Sequence, residues 1–408
     1  MPTHALTNVL AARLDDMARS GRLKGKESVI RGVMSARNER GPRYLIDGEG
    51  DKPFLRMNSN SYLGMALRRE IIAAEEVAAA SLGTGPGAVR FISGTWSTHV
   101  TLEKRLAAFH GRDAAMLFSS AYATVMGLMP PLVTDKTAVI SDALNHNCII
   151  NAIALARPAE KHIYPHLDMG ELERALTSAS RACTRAIVVT DGIFSMRGDH
   201  APLDTIMALA RQHDGAFAEN VIVVVDDSHG VGAFGATGRG TEEYTGSGPA
   251  DLLVATLGKA FGVNGGYVVG DETIIRYLRE TSPFYIYSNP ITPPEASAAR
   301  QAVDILDSEA GRAMLAHLRA MTARFRQGLI KRGLETLPGE HPVVPLMLRD
   351  TARTAAMVAH LRHEGILATG LNYPVVPKGD EEIRFQISAD HTEADIDAAL
   401  EVIGRFRL

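Results

Sequence analysis

Two stretches of this chain carry side chains able to do covalent and proton-transfer chemistry. In the first, five aliphatic residues, Val221–Val225, run straight into Asp226, Asp227, Ser228 and His229. A short continuous apolar run reads as a strand buried on both faces of a parallel sheet. Open α/β sheets bind ligands at the carboxyl ends of such strands. In the second, DLLVAT (251–256) is another strand-like run, followed closely by Lys259. Lysine and aspartate lie 33 residues apart, room for a turn-rich loop and the next strand. Pyridoxal phosphate chemistry asks for such a pair: a lysine to hold the cofactor as a Schiff base, and a carboxylate beside its pyridinium nitrogen. Alternatively, Asp226 and Asp227 merely end a strand and Lys259 is a surface lysine. That simpler reading suits either motif alone; their joint context favours the chemical one.

Further polar groups fall at similar strand ends. Ser119, Ser120, Ala121 and Tyr122 occupy a strand-to-helix turn, where the open N–H groups of a helix start bind phosphate; Ser120 is equally a routine helix cap. His146, in SDALNH, follows a strand and could stack on a ring or simply be a hydrogen-bonded loop histidine. Ser195, in TDGIFSMRGD, is another strand-end hydroxyl. Thr256, three residues before Lys259, could bond a phosphate or be an ordinary strand threonine. Residues 81–95 are dense in glycine (Gly83, Gly85, Gly87, Gly94), which permits close approach of backbone to a ligand, but the spacing is not that of a dinucleotide fingerprint.

The elements that must position these groups alternate. From Leu102 to about residue 290, helical and strand-like runs follow one another, which predicts a doubly wound, mainly parallel sheet. Pro130-Pro131 is expected to break one of its helices. Ahead of it, Leu6, Leu10, Leu14 and Met17 predict an amphipathic helix, broken at Gly21-Arg22-Leu23-Lys24 and followed by a basic stretch to about Arg43. Phe54–Met57 reads as a short strand. After Pro290 a nearly continuous helical pattern, interrupted near Gly311, leads into a small α+β lobe. The expected organisation is an N-terminal helix and arm over residues 1–57, a large cofactor-binding α/β domain over 58–290 and a C-terminal α+β domain over 291–408. With 46% hydrophobic and 22% charged residues in 408, the composition is that of an ordinary globular enzyme. A net charge of −4 advertises neither nucleic acid nor an anionic membrane. No apolar run is long enough for a membrane span, the 14 histidines form no metal-binding pattern, and the two cysteines, Cys148 and Cys183, suggest a reducing compartment. A cytoplasmic location is the expectation.

Taken together, NSNSYLGM, GPGAVRFISGT, SDALNH, TDGIFSMRGD, VDDSHGVGAFGATGRG, TLGKAFG and YPVVPKG resemble the α-oxoamine synthases, in that family's order and over nearly the whole chain. The resemblance implies a fold-type-I pyridoxal phosphate-dependent transferase that condenses an amino acid with an acyl-CoA and releases CO2 and CoA. It implies catalytic roles for four residues: Lys259 as cofactor lysine and proton carrier, Asp226 at the pyridinium nitrogen, His229 at the phenolic oxygen and His146 over the ring. Ser120, Ala121, Tyr122 and Thr256 would hold the phosphate, and Ser195 would lie near the ring. Asn60 and Arg384 would hold the amino-acid carboxylate, and Arg22 would approach the CoA thioester. Ser288 would reach the phosphate of a neighbouring subunit, making the active site a property of a homodimer. VRFISGT, SDALNH and YPVVPKG are most similar to glycine-using members that take a short acyl group. Arg90, flanked by apolar Val89 and Phe91, would leave a succinyl carboxylate poorly paired.

Overall fold

The computed structural model of the chain describes residues 3–20, 22–23, 27–373 and 375–407. Gly21 and Lys24 of the basic stretch and Pro374 of YPVVPKG therefore lie outside the described residues. After the helix His4–Arg19, strands β1 (Ile30–Met34), β2 (Arg43–Ile46) and β3 (Pro53–Arg56) form an antiparallel meander. β1 lies inside the basic stretch that runs to about Arg43. Its residues are mostly exposed and its apolar run is short, so the sequence carries little strand signal there. The leucines of the first helix are exposed, and no residue of that helix is buried within the chain.

The central sheet takes β4 (Ala114–Phe118), β5 (Thr137–Asp142), β6 (Glu160–Tyr164), β7 (Arg185–Asp191), β8 (Val221–Asp226), β9 (Leu252–Thr256) and β10 (Gly266–Gly270). Their spatial order is β4-β10-β9-β8-β7-β5-β6. Every neighbouring pair is parallel except those made by β10, which runs against both β4 and β9. The sheet is thus mainly parallel, as the alternating pattern predicts. Val223, Val224 and Val225 of β8 are buried, and apolar clusters cover both faces of the sheet. Register does the rest: Asp191 closes β7 opposite Asp226, which closes β8. Helix Ala121–Leu132 starts at the end of β4, and its prolines, Pro130 and Pro131, fall in the last turn, so the helix ends there rather than breaking earlier. Gly266 makes this start possible, because a Cβ at that position would overlap the Ser120–Ala121 backbone.

In the C-terminal lobe, helix Glu309–Lys331 packs near the sheet β11 (Val343–Met347), β13 (Thr369–Leu371) and β14 (Glu382–Gln386), with β14 in the middle, while helix Pro293–Leu306 packs mainly on helices Arg69–Leu82 and Ser97–His110. The break between the two helices falls at Asp307–Ser308; Gly311 itself belongs to the first turn of the second helix. A short strand, β12 (Ile366–Leu367), pairs with β3, so the N-terminal meander is sewn to this lobe. No helix among the described residues is long and apolar enough to cross a membrane.

The two adjacent aspartates divide their labour. Asp227 is fully buried and accepts hydrogen bonds from the Thr241 amide (2.6 Å) and hydroxyl (2.7 Å). Gly192, Gly230 and Gly240 crowd around its carboxyl group, where a Cβ on any of them would overlap it. Asp227 therefore holds the loops after β7 and β8 together, leaving Asp226 to face the cleft. Replacing Asp227 with Ala strands two buried donors at about 1–3 kcal/mol each. The denaturation midpoint of Asp227→Ala is expected to fall sharply in a urea titration; an unchanged midpoint would remove Asp227 from this role.

Candidate active site

The carboxyl ends of β4, β5, β7, β8 and β9 open onto one cavity of about 230 Å3. Nine of the ten residues expected to bind the cofactor line it: Ser120, Ala121, Tyr122, His146, Ser195, Asp226, His229, Thr256 and Lys259. Five different segments of the chain converge there because parallel strands end on the same side of the sheet. The glycine-dense stretch does not line this cavity. Within one chain, Arg90, Phe91 and Thr95 line a separate depression with Arg279, Tyr285 and Tyr287.

Charge is arranged tightly. Asp226 accepts both the amide (3.1 Å) and the hydroxyl (2.5 Å) of Ser228 on Oδ1, and Cys148 Sγ lies 3.5 Å from Oδ2. Burial holds the Lys259 amine down to about 8, although Asp226 and Asp191 pull the other way. Burial also pushes the Asp191 carboxyl well above the carboxylate range, and the neighbouring Asp226 adds to this. Asp191 Oδ2 accepts the His146 amide (2.9 Å), and Asn145 Oδ1 accepts the Asp191 amide (2.8 Å), so this carboxyl anchors the histidine loop. The imidazole of His146 is itself held low by burial.

His229 is neutral: burial drives its pKa well below the ordinary value, and Lys259 and Arg384 push in the same direction. Tyr62 lies 2.7 Å from His229 Nδ1 and 3.4 Å from Asn60 Oδ1. Burial raises the phenol pKa, so Tyr62 keeps its proton and gives it to the shorter contact. Nδ1 is then the acceptor, and the ring hydrogen sits on Nε2 as a donor. His341 adds a second brace by donating from Nε2 to the His229 carbonyl (2.9 Å).

Arg384 comes from β14 in the C-terminal lobe. Its Nη2 donates to Asn60 Oδ1 (3.3 Å), its buried Nε has no partner, and no carboxylate among the described residues forms an ion pair with it. Asn60 Oδ1 thus meets this guanidinium and lies beside Tyr62, whose hydroxyl donates to His229 in the cavity wall. Two expected residues lie elsewhere in the single chain. Arg22 is held by Asp16 (2.5 Å) and Ser20 (2.7 Å) at the surface. Ser288 sits beside the 80%-exposed Tyr287, away from the cavity.

These groups fit pyridoxal phosphate on their own chemistry. Ser120 Oγ caps the Ala123 amide (3.1 Å), which leaves the Ala121 and Tyr122 amides open at a helix start, where the helix dipole favours an anion. Asp226 has one oxygen tied to Ser228 and the other turned to the cavity, as a partner for a protonated ring nitrogen requires. Lys259 has no hydrogen-bond partner among the described residues and is a half-neutral amine near pH 8. The sequence reading missed Asp191, Tyr62, Cys148, Ser228 and His341. Asp191 carried a usable signal, since TDGIFS ends a strand on a carboxylate just as VVVDDSH does; His341 carried none.

Residues 52–403 match the family described as aminotransferase class I and II. The chain is 39% identical over 389 residues to the mitochondrial 2-amino-3-ketobutyrate coenzyme A ligase of Homo sapiens, covering 93% of this chain and 90% of that one. It is 37% identical over 370 residues to the 8-amino-7-oxononanoate synthase of Thermosipho melanesiensis, covering 90% and 91% respectively. Among solved structures, a serine palmitoyltransferase from Sphingomonas wittichii superposes with a TM-score of 0.87 at 26% identity, covering 98% of this chain and 97% of that chain. A serine palmitoyltransferase from S. paucimobilis, solved with a bound PLP–myriocin aldimine, gives 0.86 at 26% identity and the same coverage. The chain belongs to the class I and II aminotransferase family and, within it, to the α-oxoamine synthases, which are pyridoxal phosphate-dependent acyltransferases.

Only the neutral amine of Lys259 can attack the cofactor's aldehyde. The rate at which cofactor-free protein takes up pyridoxal phosphate covalently is therefore expected to rise through about pH 8 and level off above it. A midpoint near the ordinary lysine value of about 10.4 would contradict the buried, depressed amine.

Proposed function

We propose that this α-oxoamine synthase joins glycine to a short acyl-CoA, in the manner of a glycine C-acetyltransferase. A carbon–carbon bond forms between the amino acid's α-carbon and the acyl carbonyl carbon, and the carbon–sulfur bond breaks. CoA leaves as thiolate and takes up a proton, giving a 2-amino-3-keto acid; loss of its carboxyl group as CO2, with a proton in its place, then yields an α-aminoketone. The bound cofactor supplies an electron sink for the α-carbon. The observation that carries the reading is the Arg384 guanidinium, which has no carboxylate partner among the described residues and a buried Nε without an acceptor, beside Asn60 and the Lys259 cavity. It suits a carboxylate held beside a lysine able to move the adjacent proton.

Each side chain then has a task. Lys259 would hold the cofactor covalently and, once free, would serve as a general base for the α-proton, poised near the working pH. Asp226 would hold the proton on the ring nitrogen, since a neighbouring carboxylate favours the cationic form. The Nε2 hydrogen of His229 would bond the phenolic oxygen and be available to an oxyanion developing on the acyl carbonyl. His146 would stack over the ring, and Ser195 would lie near it. The Ala121 and Tyr122 amides hold the phosphate with the Ser120 and Thr256 hydroxyls. Thr256 Oγ1 now donates to the Gly265 carbonyl (3.1 Å) and would turn from it to do so. Arg384 and Asn60 grip the amino-acid carboxylate, a contact that fixes orientation as well as charge. Arg22 approaches the CoA thioester only after giving up its contact with Asp16.

A homodimer completes the site in this reading. Phe91 and Ile92, each 67% exposed, and Tyr287 form an apolar surface next to Ser288, the residue proposed to reach the partner's phosphate. A short acyl group is supported by Arg90. Both of its terminal nitrogens contact the Glu103 carboxylate (3.1 and 3.2 Å), leaving no free guanidinium there for an acyl carboxylate.

The test is CoA release by the holoenzyme across a grid of amino acids and acyl-CoAs. Turnover confined to glycine with short acyl-CoAs is expected. Preference for serine or alanine, or for a long chain, would move the chain to another substrate within the same family. Lys259→Ala is expected to reduce turnover at least about a thousandfold while the melting profile stays close to that of the parent, because nucleophile and base are lost together. Parent-level turnover in Lys259→Ala would overturn the assignment of that lysine.

A further inference from the structure

A second cavity, of about 290 Å3, adjoins the first and shares Ser195 with it. Leu144, Phe194, Met196, Met347 and Val376 make most of its wall apolar. Its volume lies at the lower end of ligand sites, roughly 300–1,000 Å3, and suits a short chain. Three charged side chains face it, and two of them each make one ion pair with a neighbouring residue. Arg197 donates from Nε to Asp199 (2.8 Å), and Asp380 accepts from Arg349 (2.9 Å). The third, Glu382, is 97% buried, judged by its 3% exposure, and its Oε1 has no hydrogen-bond partner.

Position makes Glu382 unusual. It sits two residues before Arg384 on β14, and side chains at that spacing share one face of a strand. The strand that offers a cation to the amino-acid carboxylate thus offers a lone acceptor one step further along, in the wall of the neighbouring chamber. Burial pushes its carboxyl up to about 7, although Arg384 and Arg197 favour the charged form. A buried acceptor left unpaired costs about 1–3 kcal/mol. An apolar chamber with one such group is therefore selective for a ligand that brings a donor.

We propose that this chamber receives the acyl arm of the thioester and that Glu382 determines its specificity, selecting a short acyl group that carries a hydroxyl and rejecting one that ends in a carboxylate. The inference rests on the reading of the chain as an acyl-CoA-using synthase. Of the two condensing partners, glycine has no side chain to fill a chamber, whereas the acyl donor must place its chain beside the α-carbon. A hydroxyl donating to Glu382 satisfies the orphan oxygen. A terminal carboxylate would bring a further negative group into a chamber whose wall already holds the Glu382 and Asp380 carboxyl groups.

The experiment compares kcat/KM of the holoenzyme, with glycine, for 3-hydroxybutyryl-, butyryl- and succinyl-CoA. The parent is expected to prefer 3-hydroxybutyryl- over butyryl-CoA by at least about tenfold and to use succinyl-CoA least, because a site built to bond a hydroxyl discriminates strongly against its absence. Glu382→Leu is expected to invert the first ratio, and Glu382→Arg to raise the succinyl:butyryl ratio by about tenfold or more. Should both variants fold poorly, Val376→Trp fills the chamber from another segment and is expected to lower the butyryl:acetyl ratio. Unchanged ratios in the folded variants overturn the proposal while leaving the synthase reading intact. A shift in the glycine:serine preference without a shift among acyl-CoAs overturns it too, because the chamber would then hold the amino-acid side chain. Absence of CoA release by the parent with every acyl-CoA defeats the synthase reading itself, and the proposal with it.

Discussion

Asp191 and Asp226 end adjacent parallel strands side by side, both buried, with Lys259 close to both. Two carboxyl groups and an amine cannot be taken from water cheaply unless each is paired, protonated or neutralised. The surrounding structure meets that constraint group by group. Ser228 satisfies one oxygen of Asp226, Asp191 is pushed toward its neutral form by burial and anchors the His146 loop, and the Lys259 amine is lowered toward neutrality. Asp227 takes no part in the cavity; it ties the loops that carry these groups to Thr241. Stability and chemistry thus rest on neighbouring residues with the same side chain and opposite tasks.

The same constraint explains why imidazoles rather than imidazoliums surround the site. His229, His341 and His146 all have depressed pKa values, first because they are buried. A protonated imidazole would add a further buried cation beside Lys259 and Arg384. Neutrality also fixes function: with Tyr62 feeding its proton to Nδ1, His229 presents a single defined donor at Nε2. A charged ring would offer two donors and reverse the direction of the Tyr62 hydrogen bond.

Lobe assembly is the second requirement. Arg384 and Glu382 belong to a sheet that shares no strand with the central one, yet both must meet it. The segment 57–62 makes the join. Met57 accepts from the Gln386 amide, Tyr62 accepts from the Ala389 amide, and the Ser61 carbonyl accepts from Ser388 Oγ. β3 extends the seam by pairing with β12. A polar turn in the sequence therefore forms part of the contact between the β14 sheet and the cavity, which is why Asn60 touches the arginine and Tyr62 the histidine.

Much of this was legible along the chain. Valine-rich runs long enough for a strand and too short for a helix, each ending in a polar residue, report a parallel sheet and the edge where its chemistry lies. Asp226, His229, Lys259, His146 and the Ser120–Tyr122 turn could be named because each follows its strand directly. Local pattern could not say which of two adjacent aspartates faces the cavity, because strand register and the glycines around Asp227 decide it. It could not pair Asp191 with Asp226, connect Tyr62 to His229 across 167 residues, or show that Arg90 is already engaged with Glu103. Nor could it mark Glu382, one acidic residue among many, as a buried group without a partner. Sequence alone determined the sheet and placed Asp226 and Lys259 at its strand ends, since hydrophobic period and strand ends are local properties. Only the tertiary structure decided which polar groups are paired and which are left open to substrate, because pairing depends on segments far apart in the chain being packed against one another with water excluded.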